Sequence, residues 1–313
     1  MTSSYVNNSR NYKIITAGST YLDIDAYACM VAMAELLALK GVIAIAYSTA
    51  PVNYSVCESL INDGQLSHKL PDGMSERNAQ YIIVDVSDPN FLSDSVPLDR
   101  VVEIFDHHVG FEEYWTSRIG EGSHIEFIGA AATLIYREWT SAGLQNKMKR
   151  STAKLLAAAI LDNTLNLTSS ITTDEDVNSF SELCFITGID DAFRAEYFSE
   201  VQRGVEADLK NAFFGDIKTV RGNKVLPARV AQIAVWNSAS ILVRLNEIRT
   251  WFAGMSDGWM INLIDIKERC SYFICDEPGY QGKISEVFKI RFENGVAKVP
   301  RAYLRKEIIK KTI

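Results

Sequence analysis

The stretch YKIITAGSTYLDIDAYACMVAMAELLALK, Tyr12–Lys40, decides the fold. Tyr12–Ala17 reads as a short buried strand, and Ala26–Lys40 as a helix that stops at Gly41. Val42–Tyr47 follows as a second strand, Pro51–Leu60 as a short helix or a turn into one, and Asp63–Glu76 as a polar loop. Tyr81–Val84 and Val101–Phe105 are two more compact apolar runs, and Ala130–Ala142 and Ser151–Leu161 read as helices. Short apolar runs separated by helices predict an α/β fold with a mainly parallel sheet covered on both faces.

Near residue 190 the character changes. A polar helical segment begins at Asp191, and Val230–Trp236, Trp259–Ile266, Tyr272–Cys275 and Val287–Phe292 read as strands, with Ala239–Phe252 as a helix among them. The chain therefore divides into a parallel-sheet domain, 1–190, and a smaller α/β domain, 191–313.

The bulk composition bounds the function. The 313 residues are 47% hydrophobic and 23% charged, enough to bury a sizeable core. No segment approaches the ~18–20 unbroken apolar residues of a membrane span, and the opening MTSSYVNNSR lacks an apolar signal core. A cytoplasmic location and no membrane partner are expected. The five cysteines form no C-x-x-C pair, which points away from a disulfide framework or a thiolate zinc site. The formal net charge of −7 disfavours long nucleic acid, which is held by dense basic surfaces. A small phosphorylated substrate stays open, because divalent cations supply local positive charge.

Four clusters bearing Asp or His each follow an apolar run. The first is Asp23-Ile-Asp25, between a strand and a helix, where open α/β sheets place their sites. A helix-capping role is the competing reading for either carboxylate. The second is Asp85-Val-Ser-Asp88-Pro89, where an Asp ending a strand also suits a turn. The third, Asp106-His107-His108, places two of the four histidines side by side after an acid; imidazole is a good ligand for Mn, Fe, Co or Zn, and a carboxylate can orient it. In the fourth, an apolar helix runs into Asp162, where negative charge opposes the helix dipole and invites a cation. Together Asp23, Asp25, Asp85, His107 and Asp162 could hold two divalent ions, the usual two-metal design for phosphoryl chemistry, in which a bridging hydroxide attacks phosphorus in line.

These clusters resemble the DHH phosphoesterase superfamily. Phe214-Gly-Asp216-Ile-Lys218 looks like the Asp-x-Lys element of the branch with a DHHA2-type second domain, and Tyr303-Leu-Arg305-Lys306-Glu-Ile-Ile like an altered form of its terminal Ser-Arg-Lys-Lys-Gln motif. Ile128–Tyr136 and Thr164–Asp174 also fit. That branch contains family II inorganic pyrophosphatases, exopolyphosphatases and prune proteins. The resemblance implies an active site in the cleft between the two domains and two divalent cations, Mn²⁺ or Mg²⁺, with Asp85 shared: Asp23 and Asp85 on one, Asp25, Asp85, His107 and Asp162 on the other. It implies that His108, Lys218, Arg305 and Lys306 bind the substrate, with His108, Asp85 and Lys218 acting in catalysis. The implied activity is hydrolysis of pyrophosphate or short polyphosphate. A catalytically weak prune-like binding protein and a small nucleotide phosphodiesterase are the alternatives, and a homodimer is open.

Two departures stand out. Pyrophosphatases of this branch have a metal-binding His where this chain has Ser19, and a Pro where it has Leu22; Glu307 and Ile308 stand where the terminal motif has Lys and Gln. Without that His the first site is richer in oxygen and water, which predicts a weaker preference for Mn²⁺ over Mg²⁺. The chain has no Gly-Gly pair and no His after His124, unlike the nuclease and cyclic-dinucleotide branches.

Overall fold

The computed structural model describes residues 12–61, 65–72 and 74–313; the opening stretch and part of the expected Asp63–Glu76 loop lie outside them. Two compact units form, one of Met1–Leu167 with Ile171–Asp190, the other of Asp191–Ile313 with Thr168–Ser170.

In the first unit, strands β1 (Lys13–Thr16), β2 (Ala44–Ala46), β3 (Gln80–Val84), β4 (Val101–Asp106) and β5 (Ser123–Ile125) make one sheet in the order β2-β1-β3-β4-β5. Every pairing is parallel. Helix α1 (Ile24–Leu39) is buried on nearly all sides, which explains its lack of a polar face. It packs on β1–β3 and against α3 (Ala131–Ser141) and α4 (Arg150–Asn163). The opposite face of the sheet buries Ile14, Tyr81, Ile83 and Ile104 with Trp115, from α2 (Glu112–Ile119). Each of these isoleucines, fully buried, contributes ~1.5–3 kcal/mol. Helix α5 (Asp174–Thr187) packs on α3 and α4.

The order reverses at β1, whose neighbours are β2 and β3. The crevice at the carboxyl ends of β1 and β3 is thus a topological switch point, where open α/β sheets bind ligands. Asp85 directly follows β3 and Asp106 ends β4.

The second unit is also α/β. It comprises α6 (Asp191–Ala207), α7 (Leu209–Gly215), β6 (Lys218–Thr219), β7 (Arg229–Val235), α8 (Ala239–Leu242), α9 (Leu245–Phe252), β8 (Trp259–Asp265), β9 (Cys270–Ile274), α10 (Pro278–Phe288), β10 (Val296–Val299) and α11 (Arg305–Thr312). The sheet order is β10-β9-β8-β7-β6, antiparallel except for β7 with β8. One face packs on Phe213, Ile241, Ile248 and Phe252, the other on Ile284, Phe288 and Ile308.

Several expected elements differ. Val287–Phe292 is not a strand: it is the end of α10 and the turn after it, and the last strand is β10. Ile284 and Phe288, one helical turn apart, both join the core under Phe273. The single helix expected over Ala239–Phe252 is broken into α8 and α9, and Pro51–Leu60 supplies only a single turn at Glu58–Leu60. Helices α2 and α5 and strand β5 were not expected from the sequence.

Candidate metal centre

Asp23 ends the loop after β1 and caps α1: its side chain accepts the Ala26 N–H at 3.0 Å. The capping reading of Asp23 is thus realised, but one carboxylate cap leaves further lone pairs. Asp25, in the first turn of α1, is fully buried. Its two oxygens accept the N–H groups of Ala131 and Ala132, at 2.8 Å each, at the start of α3. Asp88, by contrast, accepts from Asn90 and serves the turn at Pro89–Phe91.

Asp85 holds a left-handed backbone, φ 57°, unusual for a residue with a side chain. Such strain persists where the surroundings over-determine it, often at functional sites. Its side chain is 6% exposed and its Oδ1 lies 3.4 Å from His107 Nε2 and 3.9 Å from His108 Nδ1. His107 Nε2 is also 4.0 Å from Asp25 Oδ2. Ligand atoms of Asp85, His107 and His108 fall within 4.8 Å of one another, the spacing of a metal-binding group.

His107 Nδ1 sits 3.2 Å from the Ile128 carbonyl, so its proton belongs there and the Nε2 lone pair faces the carboxylates. Asp85 Oδ1 is buried with no hydrogen-bond partner. An unpartnered carboxylate oxygen, an imidazole lone pair and a second buried carboxylate meeting in one space require a cation or extra protons. The donor set fits a divalent metal: imidazole nitrogen with carboxylate oxygen suits Mn, Fe, Co or Zn.

The electrostatics carry the same signature. Burial, with the charges of Asp23 and Asp25 adding to it, pushes the Asp85 carboxyl well above the ordinary range. Burial also lifts Asp25 to about 6, with Asp23 adding to the rise and His107 and the two α3 N–H groups opposing it. The Cys29 thiol is raised by burial and by Asp25, Asp85 and Asp23. These carboxylates feel each other's charge.

Asp106 is the orienting acid. It is fully buried, and its Oδ1 accepts both the His107 and His108 N–H groups and His108 Nδ1, the last at 2.8 Å. Burial would raise its carboxyl, but the bond and charge of His108 hold it below the ordinary range. His108 is raised in turn: burial opposes protonation and the Asp106 bond outweighs it. The His108 side chain is 60% exposed, and with Nδ1 committed to Asp106, Nε2 is the nitrogen left to meet a ligand.

Asp162 stands in the last turn of α4 and is half-buried. In the second unit, Lys218 is exposed at the start of β6 and Lys306 is exposed in the first turn of α11. Arg305, the first residue of α11, is committed to Asp216: its guanidinium donates to both carboxylate oxygens and to the Asp216 carbonyl. Ser19 donates its backbone N–H and hydroxyl to the Phe91 carbonyl, at 2.8 and 3.0 Å.

The sequence points to Asp106 as the acid that can orient a neighbouring imidazole, and it holds His108 so; the Ile128 carbonyl and the N–H groups of Ala131 and Ala132 have no sign in the sequence. Backbone groups leave no residue-type signal.

No protein-family model matches the chain. Among curated proteins it is 22% identical over 311 residues to a protein of Exiguobacterium sp. assigned as a manganese-dependent inorganic pyrophosphatase, covering 95% of this chain and 96% of that one. A protein of Bacillus pumilus with the same assignment is 24% identical over 310 residues, covering 94% and 96%. Among solved structures, a candidate family II inorganic pyrophosphatase of Methanococcus jannaschii superposes with a TM-score of 0.65 at 16% identity, covering 96% of this chain and 99% of that one. An exopolyphosphatase-related protein from Bacteroides fragilis gives 0.53 at 12% identity, covering 96% and 90%. The resemblance to the pyrophosphatase branch of the DHH phosphoesterases, read first from four clusters of Asp and His, holds along nearly the whole chain in sequence and in fold.

Proposed function

We propose that the protein is a cytoplasmic metal-dependent phosphohydrolase that cleaves a phosphoanhydride bond of inorganic pyrophosphate or short polyphosphate. One observation carries the reading: the buried, unpartnered Asp85 Oδ1 faces the lone pair of His107 Nε2 beside a second buried carboxylate. The relatives assigned as manganese-dependent pyrophosphatases support it.

Asp23, Asp25, Asp85, His107 and Asp162 would hold two divalent cations, with Asp85 shared. When bound, such ions acidify water and neutralise phosphate charge. His107 is fixed for this by the Ile128 carbonyl and Asp25 by the first turn of α3. His108, oriented by Asp106 and biased towards its charged form, would donate from Nε2 to a phosphate oxygen. Lys218, Arg305 and Lys306 are carried over to substrate oxygens on their motifs alone. Arg305 would have to share its guanidinium with Asp216.

The test is phosphate release from pyrophosphate, tripolyphosphate and long polyphosphate at defined Mn²⁺ and Mg²⁺. Turnover that Asp85→Ala abolishes is expected; turnover surviving that change rejects the mechanism. A second reading, a binding protein with little turnover, is favoured by Ser19, whose hydroxyl goes to Phe91 where the pyrophosphatases of this branch have a ligand. Tight metal binding with no turnover on any of the three substrates would select it.

A further inference from the structure

We propose that Asp176, on α5, is a positioning residue for the metal centre: it fixes segment 128–133, and through that segment the ring of His107 and both oxygens of Asp25. The inference rests on the metal-dependent reading above and assigns a role to a residue that touches neither metal ligand.

Asp176 is fully buried and accepts from four donors. Two are local: the Thr173 N–H at 2.7 Å and its hydroxyl at 2.8 Å, which with the Thr173 bond to the Asp176 N–H close a capping box at the start of α5. The other two are distant in sequence: the Gly129 N–H at 2.9 Å and the Thr133 hydroxyl at 2.6 Å. A residue that only capped α5 would need neither. The contact is so close that a Cβ on Gly129 would lie 2.5 Å from Asp176 Oδ2 and 2.7 Å from the methyl of Thr164, so only glycine fits between α5 and the end of α4. Arg137 ties the chain just before that segment to α5, donating to Glu126 and also to Glu175, the neighbour of Asp176.

The segment thus held does two things at the centre. The Ile128 carbonyl, next to Gly129, accepts a hydrogen bond from His107 Nδ1 and so turns Nε2 towards Asp85. The N–H groups of Ala131 and Ala132, next to Thr133, hold the two oxygens of Asp25. Asn at 176 has one acceptor oxygen, and its NH₂ would face donors. The segment would relax, and His107 and Asp25 would move with it. Loss of a metal ligand's direct partner typically changes affinity ~10–100-fold, and Asp176 acts one bond beyond those partners, so the lower end is expected.

The experiment uses the full chain and the metal alone. Mn²⁺ affinity is measured by calorimetry, the Co²⁺-loaded visible spectrum reports ligand geometry, and urea midpoints without metal report stability. The variants are Asp176→Asn, Thr133→Val, Thr133→Ser and, as a control for general destabilisation, Ile14→Val in the core. Asp176→Asn and Thr133→Val are expected to weaken Mn²⁺ ~10-fold and to change the Co²⁺ spectrum. Thr133→Ser should restore both, and Ile14→Val should shift only the urea midpoint. If Asp176→Asn does not fold, the Thr133 pair decides alone. Wild-type affinity and spectrum in Thr133→Val, or an equal Mn²⁺ loss in Ile14→Val, overturns the role of Asp176 and leaves the metal centre standing. A wild-type chain that binds no Mn²⁺ overturns both.

Discussion

The two units each bury a polar cluster at their sheet, and the clusters are built on opposite principles. In the first, Asp23, Asp25 and Asp85 crowd together, burial and mutual repulsion raise the carboxyls of Asp25 and Asp85, and Asp85 Oδ1 has no partner. In the second, Asp216 meets the Arg305 guanidinium and also accepts the Gln232 N–H at 2.8 Å. Asn262 donates to the Gln232 side chain and to the Tyr303 carbonyl, at 3.2 and 2.6 Å. Opposite charges there satisfy each other, and of that cluster's described side-chain atoms only the neutral Asn262 Oδ1 is buried without a partner. A cluster of like charge is stable only with something from outside; a paired cluster is complete as folded.

The contrast is tested most severely at Asp85. Asp85→Asn should cut phosphate release on the order of 10³-fold or more and abolish stabilisation by Mn²⁺. The same change should leave the metal-free fold as stable, or stabilise it by ~1 kcal/mol, since it removes a buried unpaired carboxylate and Asn tolerates the left-handed backbone. A metal-free variant clearly less stable than wild type would show that Asp85 is already satisfied, and the contrast would fail.

Next comes metal and pH together. Mn²⁺ at about 100 times its Kd should add ~2.7 kcal/mol to unfolding stability for each site it fills. Without metal, Asp25 and Asp85, both raised by burial, contribute with the same sign, and Asp25 fixes the window. Its folded pKa of about 6 lies above the ordinary 3.8, so its contribution is complete below pH ~4 and is lost as pH rises through about 6. With Mn²⁺ the ligands must be ionised, so stability should rise over the same window. Thermal melts from pH 4 to 7 with and without Mn²⁺ should therefore slope in opposite directions; parallel slopes would count against a metal centre at Asp25.

The paired cluster should behave otherwise. Asp216→Asn breaks a half-buried ion pair and is expected to cost ~1–3 kcal/mol in a urea melt. It should leave Mn²⁺ affinity unchanged.

How much of this was legible beforehand follows from what kind of group does the work. Asp85 and His107 announced themselves by residue type at the ends of apolar runs, because a parallel sheet puts those ends together. Helix α1 was legible as a long apolar run buried on nearly all sides, and strand β4 as the apolar run Val101–Phe105 broken only by Glu103. Val287–Phe292 misled because Phe288, Ile290 and Phe292 alternate with charges as a strand would, while the helix signal lay upstream, at Pro278 in the first turn. Helix α5 went unread although its start carries two helix signals, an acidic first turn and Thr173 with Asp176 at capping-box spacing. The bonds from Gly129 and Thr133 to Asp176 span 47 and 43 residues, and no local pattern encodes them.

The finest distinction concerns Ser19. If the first metal site lacks a nitrogen ligand there, carboxylate oxygen and water dominate it, and harder ions are accepted. Rates at saturating Mg²⁺ and Mn²⁺ should then be comparable, and Ser19→His should shift the preference to Mn²⁺ by about tenfold, the rank order of nitrogen ligation. The exposed position leaves room for an imidazole, and the lost hydroxyl bond to Phe91 is one of two from Ser19 to that carbonyl, so the backbone N–H still anchors the loop. A wild-type enzyme that already demands Mn²⁺ would mean that the remaining ligands, His107 foremost, set the preference for both ions and that position 19 does not matter to it.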